Sequence, residues 1–317
     1  MVRTFQCFEL ATYKMPDNMR ITSLVLRVRN IDKVSSFYEK VGLQLNKKYQ
    51  NENGNLVYEL GSKQGFNNAN KPPLVTLRSD PNAKNATLSS AGLFHFAIIV
   101  PDRKSLALTY LASRDSGVRY EGSADHLVSE ALYLRDPENN GIEIYRDRPS
   151  KEWARDSEGQ IMMDTLPLDM NSLVSEELNK GESHNAEALP SGARIGHIHL
   201  RVTNLERSIK FYHEKLGLDI TLNSGSMGAA FLSAGGYHHH IGMNTWNSLG
   251  GAAHTHGEAG LEYFTITTPD RSSLNTIRSI IYDSDSVSEQ RKKQQKVDNN
   301  QILITDPDGI QILIRSE

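Results

Sequence analysis

The sequence predicts an α+β chain assembled from four copies of one βαβββ unit, and three internal similarities carry that reading. Residues 21–45, ITSLVLRVRNIDKVSSFYEKVGLQL, return as residues 195–220, IGHIHLRVTNLERSIKFYHEKLGLDI. Residues 92–106, GLFHFAIIVPDRKSL, return as 260–274, GLEYFTITTPDRSSL, and LRDPENNGIEIY at 134–145 returns as ITDPDGIQILI at 304–314. Similar segments recurring in a fixed order mark one supersecondary unit repeated along the chain.

Taken in order, module one (21–81) opens on an apolar strand, crosses a short polar turn into a helix that ends at Gly42-Leu43, and finishes in further strands. Module two (92–149) follows the same plan and closes through the Asp136-Pro137 turn. Residues 150–193 break the pattern with mixed charge, Gly181, Pro190 and Gly192, and are expected to connect the half 21–149 to the half 194–317. Within them MDTLPLDMNSLV has enough apolar content to pack as a lid or belt. Module three (194–246) and module four (260–316) repeat the strand, helix and strands. The basic run EQRKKQQKV at 289–297 reads as a solvated loop or helix face.

The 317 residues carry 35 Lys and Arg against 38 Asp and Glu, a formal charge of −3. That balance provides no global basic field for nucleic acid and no polybasic membrane anchor, so small-molecule chemistry is the expectation. The single cysteine, Cys7, excludes an intrachain disulfide and a cysteine-rich zinc site. The first twenty residues lack an uninterrupted apolar run and no later stretch reaches membrane-spanning length, which points to a soluble, cytoplasmic chain with homo-oligomerisation left open.

In GGYHHHIGMNTW, residues 235–246, three histidines stand together. Contiguity argues against a shared metal, because neighbouring side chains on a strand point to opposite faces. By that alternation His238, His240, Gly242, Asn244 and Trp246 share one face, and His239, Ile241 and Met243 the other. The apolar pair Ile241 and Met243 puts His239 on an outward face packed against helices.

Paired βαβββ modules with the segments GLFHFAI, DHLVSEALYLRDPENNGIEIY, GHIHLRV and GGYHHHIGMNTW resemble the vicinal oxygen chelate superfamily, which spans glyoxalases, bleomycin resistance proteins and extradiol dioxygenases. Within it the chain is similar to four-module, catechol 2,3-dioxygenase-like proteins. The resemblance covers nearly the whole chain and implies two half-open barrels, each made of two modules. It also implies metal ligands on the first and last strands of a module. The first-strand positions are Ser23, His95, His197 and Tyr263, and the last-strand positions are Glu143 and Gln311 in modules two and four. His95, His197 and Glu143 then form a two-histidine, one-carboxylate set suited to iron(II), with manganese, nickel or zinc as alternatives. Only a pairing of module two with module three unites them, which leaves modules one and four to form a second cavity without strong ligands. Each residue also has a plain structural reading, the histidines as hydrogen-bonded core residues and Glu143 as a partner of Arg146 or Arg135.

The stretch H-x5-L-Y-x2-D-P-x-N-x3-E, from His126 to Glu143, is close to the extradiol dioxygenase signature and departs from it at Ala124 and Asn139. The match implies His126 as an acid-base or hydrogen-bonding group facing substrate and Tyr133 as a partner to a ring oxygen. A turn histidine and a packing strand aromatic are the structural alternatives. His199, two residues beyond His197, together with His240 and Asn244, is expected to help position substrate or oxygen. The function implied is iron(II)-dependent ring cleavage of a catechol-like aromatic by O2. The rivals are a glyoxalase-like metal-dependent isomerase or lyase, and a non-enzymatic small-molecule binder.

Overall fold

The structure, a computed structural model, describes residues 13–62, 72–179, 189–282 and 300–317; Cys7, Gly181 and the basic run at 289–297 lie outside them. Two sheets organise these described residues, and each is built from modules of both halves.

The first sheet has seven strands. At its centre β1 (Arg20–Val28) runs antiparallel to β14 (Gly260–Thr268), pairing Ser23 with Thr265 and Val25 with Tyr263. Beyond β1 lie β4 (Val75–Ser79), β3 (Leu56–Gly61) and β2 (Gln44–Gln50), and beyond β14 lie β16 (Gln311–Ser316) and β15 (Gln301–Thr305). These are modules one and four.

The second sheet has nine strands and holds modules two and three. Its centre is β10 (Arg194–Arg201) antiparallel to β5 (Gly92–Ile99), with His199 opposite His95 and His197 opposite Ala97. On the β10 side follow β13 (Ile241–Asn244), β12 (Ala229–Ser233) and β11 (Asp219–Ser224). On the β5 side follow β8 (Gly141–Asp147), β7 (Ser129–Arg135), β6 (Gly122–Asp125) and β9 (Leu166–Pro167). Strand β9 comes from the segment joining the halves: two residues paired to β6 cover an edge that would otherwise be open.

Helices cover the outer faces. In α1 (Ile31–Val41) the buried positions Ile31, Val34, Ser35, Tyr38 and Val41 recur at helical spacing. Asn30 caps its start by accepting from Lys33 N at 3.0 Å, and Gly42, at φ 106°, ends it in the left-handed conformation that favours glycine. Helix α2 (Arg103–Asp115) is capped by Asp102, and α3 (Met170–Asn179) packs on α2. Helix α4 (Leu205–Lys210) widens into a π-helical turn over Phe211–Lys215, and α5 (Arg271–Tyr282) lies on the first sheet.

The Asp-Pro turns lock one module onto the helix of another. Tyr38 of α1 donates to Asp136 at 3.2 Å, and its counterpart Tyr212 donates to Asp306 at 3.0 Å. Sheet pairing therefore joins modules one with four and two with three, while these buried braces join one with two and three with four. Among the described residues no helix is long and apolar enough to cross a membrane.

Candidate metal centre

Strand register brings three of the predicted residues to one point. Ala97 of β5 stands opposite His197 on one flank and opposite Glu143 on the other, and residues paired across a ladder share a face. His95, two residues before Ala97, lies on that face as well. The fully buried Ala97 is small enough for an imidazole and a carboxylate to meet across it. Nε2 of His95 and Nε2 of His197 lie 3.0 and 3.1 Å from the same carboxylate oxygen, Glu143 Oε2, and one ligand atom from each of the three residues falls within 4.8 Å of the others.

Residues this buried, at 7%, 3% and 1% exposure for His95, Glu143 and His197, must resolve their charges among themselves. Burial pushes the Glu143 carboxyl up, but the imidazoles of His197 and His95 outweigh it and hold the carboxyl well below its usual range. Burial pulls His197 down against the attraction of Glu143, which favours a neutral ring with a free lone pair. The His95 nitrogen beside Glu143 is out of line for a hydrogen bond, and His197 Nδ1 is also buried without a partner. A cation between two imidazoles and an anionic carboxylate would satisfy His95 Nε2, and the donor set is one that first-row divalent metals accept. The three residues fit a metal ion.

His95 and Glu143 line a cavity of about 450 Å³ whose wall also includes Phe94, Leu134, Ile142, Phe231 and Trp246, and His197 lies beside them. His126 and Tyr133 line the cavity together. The Asp164 carbonyl can only accept, at 2.8 Å, so His126 Nδ1 carries the proton; in the neutral ring Nε2 then accepts from Tyr133 Oη at 2.6 Å. Burial, with the Glu143 charge, raises the Tyr133 pKa well above 10, so this phenol keeps its proton. Asp164 belongs to the segment between the halves, and its neighbours Met163 and Thr165 form part of the cavity wall.

The histidine triplet departs from the sequence expectation. Residues 235–240 form a turn between β12 and β13, with Gly235 and Gly236 at φ 64° and 70°, so strand alternation begins only at Ile241. His239, expected on an outward face, lines the cavity: its ring stacks on Phe231 at 4.5 Å and lies 4.1 Å from the His197 ring. His240, expected toward substrate, is turned away from the cavity wall. Its Nδ1 accepts from the Ser233 hydroxyl at 2.9 Å and from Ala234 N at 3.3 Å. His238 joins Asp147 Oδ1 to His239 Nδ1 at 2.9 and 2.8 Å, a chain running from a carboxylate to the cavity. His199 lines the cavity, and Asn244 stands behind it, donating to His199 Nε2 at 2.9 Å. Only the turn geometry reveals His239; the sequence signal was the triplet itself.

In the first sheet, Ser23 and Tyr263 occupy the positions of His197 and His95, as expected. The Glu143 position is filled by Leu313, opposite Thr265, and not by Gln311, which stands opposite Tyr263 as Gly141 stands opposite His95.

Residues 20–144 and 194–314 match the family model of the glyoxalase/bleomycin resistance protein/dioxygenase superfamily. The chain is 38% identical to catechol-2,3-dioxygenase of Bacillus subtilis (strain 168) over 254 residues, 80% of this chain and 84% of that one. Among solved structures it superposes on one described as a dioxygenase from Bacillus subtilis subsp. subtilis str. 168 with TM-score 0.62 and 14% identity, covering 96% of this chain and 86% of that one. It superposes on glyoxalase I from Zea mays with TM-score 0.54 and 16% identity, covering 94% and 92%. At such identities the two structures speak for the fold alone.

Proposed function

The chain belongs to the glyoxalase/bleomycin resistance protein/dioxygenase superfamily, and from that premise we propose that it is an iron(II)-dependent, extradiol-type dioxygenase that opens the ring of a catechol-like aromatic with O2. The observation that carries this reading is the convergence of two imidazoles and one carboxylate, from three separate strands, beside an apolar-walled cavity. The 38% identical relative, named for catechol cleavage, supports it. Iron(II) held by His95, His197 and Glu143 would supply a redox-active centre with open positions for a diol and O2.

The chain's own residues do the rest. Phe94, Phe231 and Trp246 present apolar surface to a flat ring and exclude water around it. Tyr133 Oη, which donates to His126 Nε2, can accept from a substrate hydroxyl, and as the phenol's own proton moves to His126 the substrate proton replaces it, so Tyr133 stays protonated. On the other wall, when His238 Nε2 donates to Asp147, neutral His238 accepts from His239 Nδ1, and His239 turns an unprotonated Nε2 to the site. His239 is thus a second proton-handling group, fixed in one tautomer by the residues behind it.

The test is anaerobic purification with metal analysis, followed by oxygen uptake over a panel of catechols. Stoichiometric iron and uptake coupled to a yellow ring-opened product are expected, and alanine at His95, His197 or Glu143 should remove iron and activity together. Metal-loaded protein that consumes no oxygen with any catechol would return the site to isomerisation or binding. Iron retained after loss of His197 would refute the ligand set.

A further inference from the structure

Arg201 ends β10, two residues beyond His199, and is buried, with 7% of its surface exposed. Its Nη1 donates to the Leu93 carbonyl at 2.6 Å and its Nε to the Ser90 carbonyl at 3.2 Å. Among the described residues no carboxylate pairs with it; burial first, and then the neighbouring charge of Arg135, lower its pKa. A buried cation with no counter-charge is costly, and proteins rarely leave one so.

The repeat supplies an internal control. Arg27 of β1 is the counterpart of Arg201, since each faces the first glycine of the adjacent antiparallel strand, Arg27 opposite Gly260 and Arg201 opposite Gly92. Arg27 is neutralised by Asp80 at 3.0 Å and Glu262 at 3.4 Å. Glu262 lies two residues after Gly260, and the residue two after Gly92 is Phe94. Asp80 lies two residues after Arg78, the parallel partner of Arg27; two residues after Asn244, the parallel partner of Arg201, stands Trp246. Both acids are replaced by aromatics on the wall of the metal-side cavity, yet the arginine is present in both sheets.

Arg201 lines a second cavity, of about 350 Å³, where the ends of β5 and β10 meet β14 and the turn at Asn139 and Asn140. Gly92, at φ 151°, leaves a gap there: the point where its Cβ would stand is 3.3 Å from Arg201 Nη2 and 3.8 Å from His254 Nδ1. His254 Nδ1 is itself buried without a hydrogen-bond partner. The carboxylate on this wall, Glu138, is engaged elsewhere, accepting from Arg29 N and Asn30 N at 2.9 and 2.8 Å and lying 3.7 Å from Arg29 Nε.

We infer that this cavity binds a small oxyanion, a carboxylate or phosphate group, which supplies Arg201 with the counter-charge that Asp80 and Glu262 give Arg27. A guanidinium fork matches either oxyanion, and His254 lies beside the same gap. The cavity has room for a small metabolite attached to the anion. It is separate from the metal-side cavity but shares its strands, since Leu93 lines one and Phe94 the other. The inference stands whichever reaction the metal centre performs.

Isothermal titration of the full-length, metal-loaded protein with inorganic phosphate, and separately with succinate, at constant ionic strength tests it. At least one should bind with a Kd on the order of 1 mM or tighter. Binding of phosphate alone would mark a phosphate site, and of succinate alone a carboxylate site. Arg201→Gln should weaken that binding by about tenfold or more. His254→Phe, which keeps the guanidinium but intrudes on the gap, should weaken it in the same direction and gives the answer if Arg201→Gln does not fold. Absence of binding by both anions overturns the inference. So does unchanged affinity in folded Arg201→Gln, which would place the anion on the metal or elsewhere, or unchanged affinity in His254→Phe.

Discussion

Replacing His239 with phenylalanine separates the proposed proton handling from metal binding. Phenylalanine keeps an aromatic ring against Phe231, where the imidazole stacks at 4.5 Å with 18° between planes. Both ring nitrogens are lost, so His238 Nδ1, 2.8 Å from His239 Nδ1, loses its partner. An unsatisfied buried nitrogen costs about 1–3 kcal/mol and a near-isosteric ring swap less than about 1.5 kcal/mol, a tolerable loss for a domain of ordinary stability. No nitrogen or oxygen of His95, Glu143 or His197 is touched, so iron content should match the parent. Loss of a general acid-base group lowers turnover ~10²–10⁴-fold, which is about 3–5.5 kcal/mol of barrier at about 1.36 kcal/mol per decade. The assay is single-turnover oxygen consumption by iron-loaded protein with the best catechol substrate, beside metal analysis of the same sample. Asp147→Asn, at the far end of the Asp147, His238, His239 chain, should lower turnover with the same sign but less. Parent-like turnover in His239→Phe would refute the reasoning, and loss of iron with activity would make His239 a support of the metal rather than a proton-handling group.

His126→Ala should keep its iron and lose turnover by ~10²–10⁴-fold, since it removes the base behind Tyr133 and no ligand; unchanged turnover in the same assay would leave His126 a turn residue. Ala97→Leu should lose iron although every ligand remains, because the added atoms stand between His197 and Glu143, whereas Thr265→Val, at the matching position of the first sheet, should leave metal content intact; equal iron in both variants counts against the register argument. Burial, more than the nearby Asp308 charge, pushes the Asp306 carboxyl up to about 7. Between roughly pH 4 and 7 the native state therefore holds a proton that the unfolded chain has released, so this group's contribution to stability falls as pH rises, by an order of a few kcal/mol. Asp306→Asn does not titrate, and urea midpoints at pH 5 and pH 8 should show a smaller loss at the higher pH than in the parent; identical slopes would contradict the raised pKa.

The sequence alone determined the repeat and the fold built from it; the proposal that His95, His197 and Glu143 form one ligand set comes from the family resemblance, which implies ligands on the first and last strands of a module. Hydrophobic periodicity and turn residues are local signals, and His95, His197 and Glu143 all lie on regular strands where a position in the repeat fixes a face. The pairing of modules two and three in one sheet follows from that resemblance too, because only it unites the three implied ligands. Reading faces from strand position fails where the backbone leaves the strand. Strand alternation does not hold through residues 235–240, because Gly235 and Gly236 at positive φ turn the chain there, so the direction of each histidine follows from local dihedrals and packing. That exchanged the expected places of His239 and His240. Spacing also misassigned the Glu143 counterpart by two residues, since Gln311 and Leu313 share a face and only the ladder says which stands opposite Thr265. Tertiary structure alone showed that the Asp164 carbonyl sets the His126 tautomer, and that Arg201 is buried without the acids that neutralise Arg27. Those facts depend on groups distant in the chain meeting in space, and no local pattern encodes which charges meet.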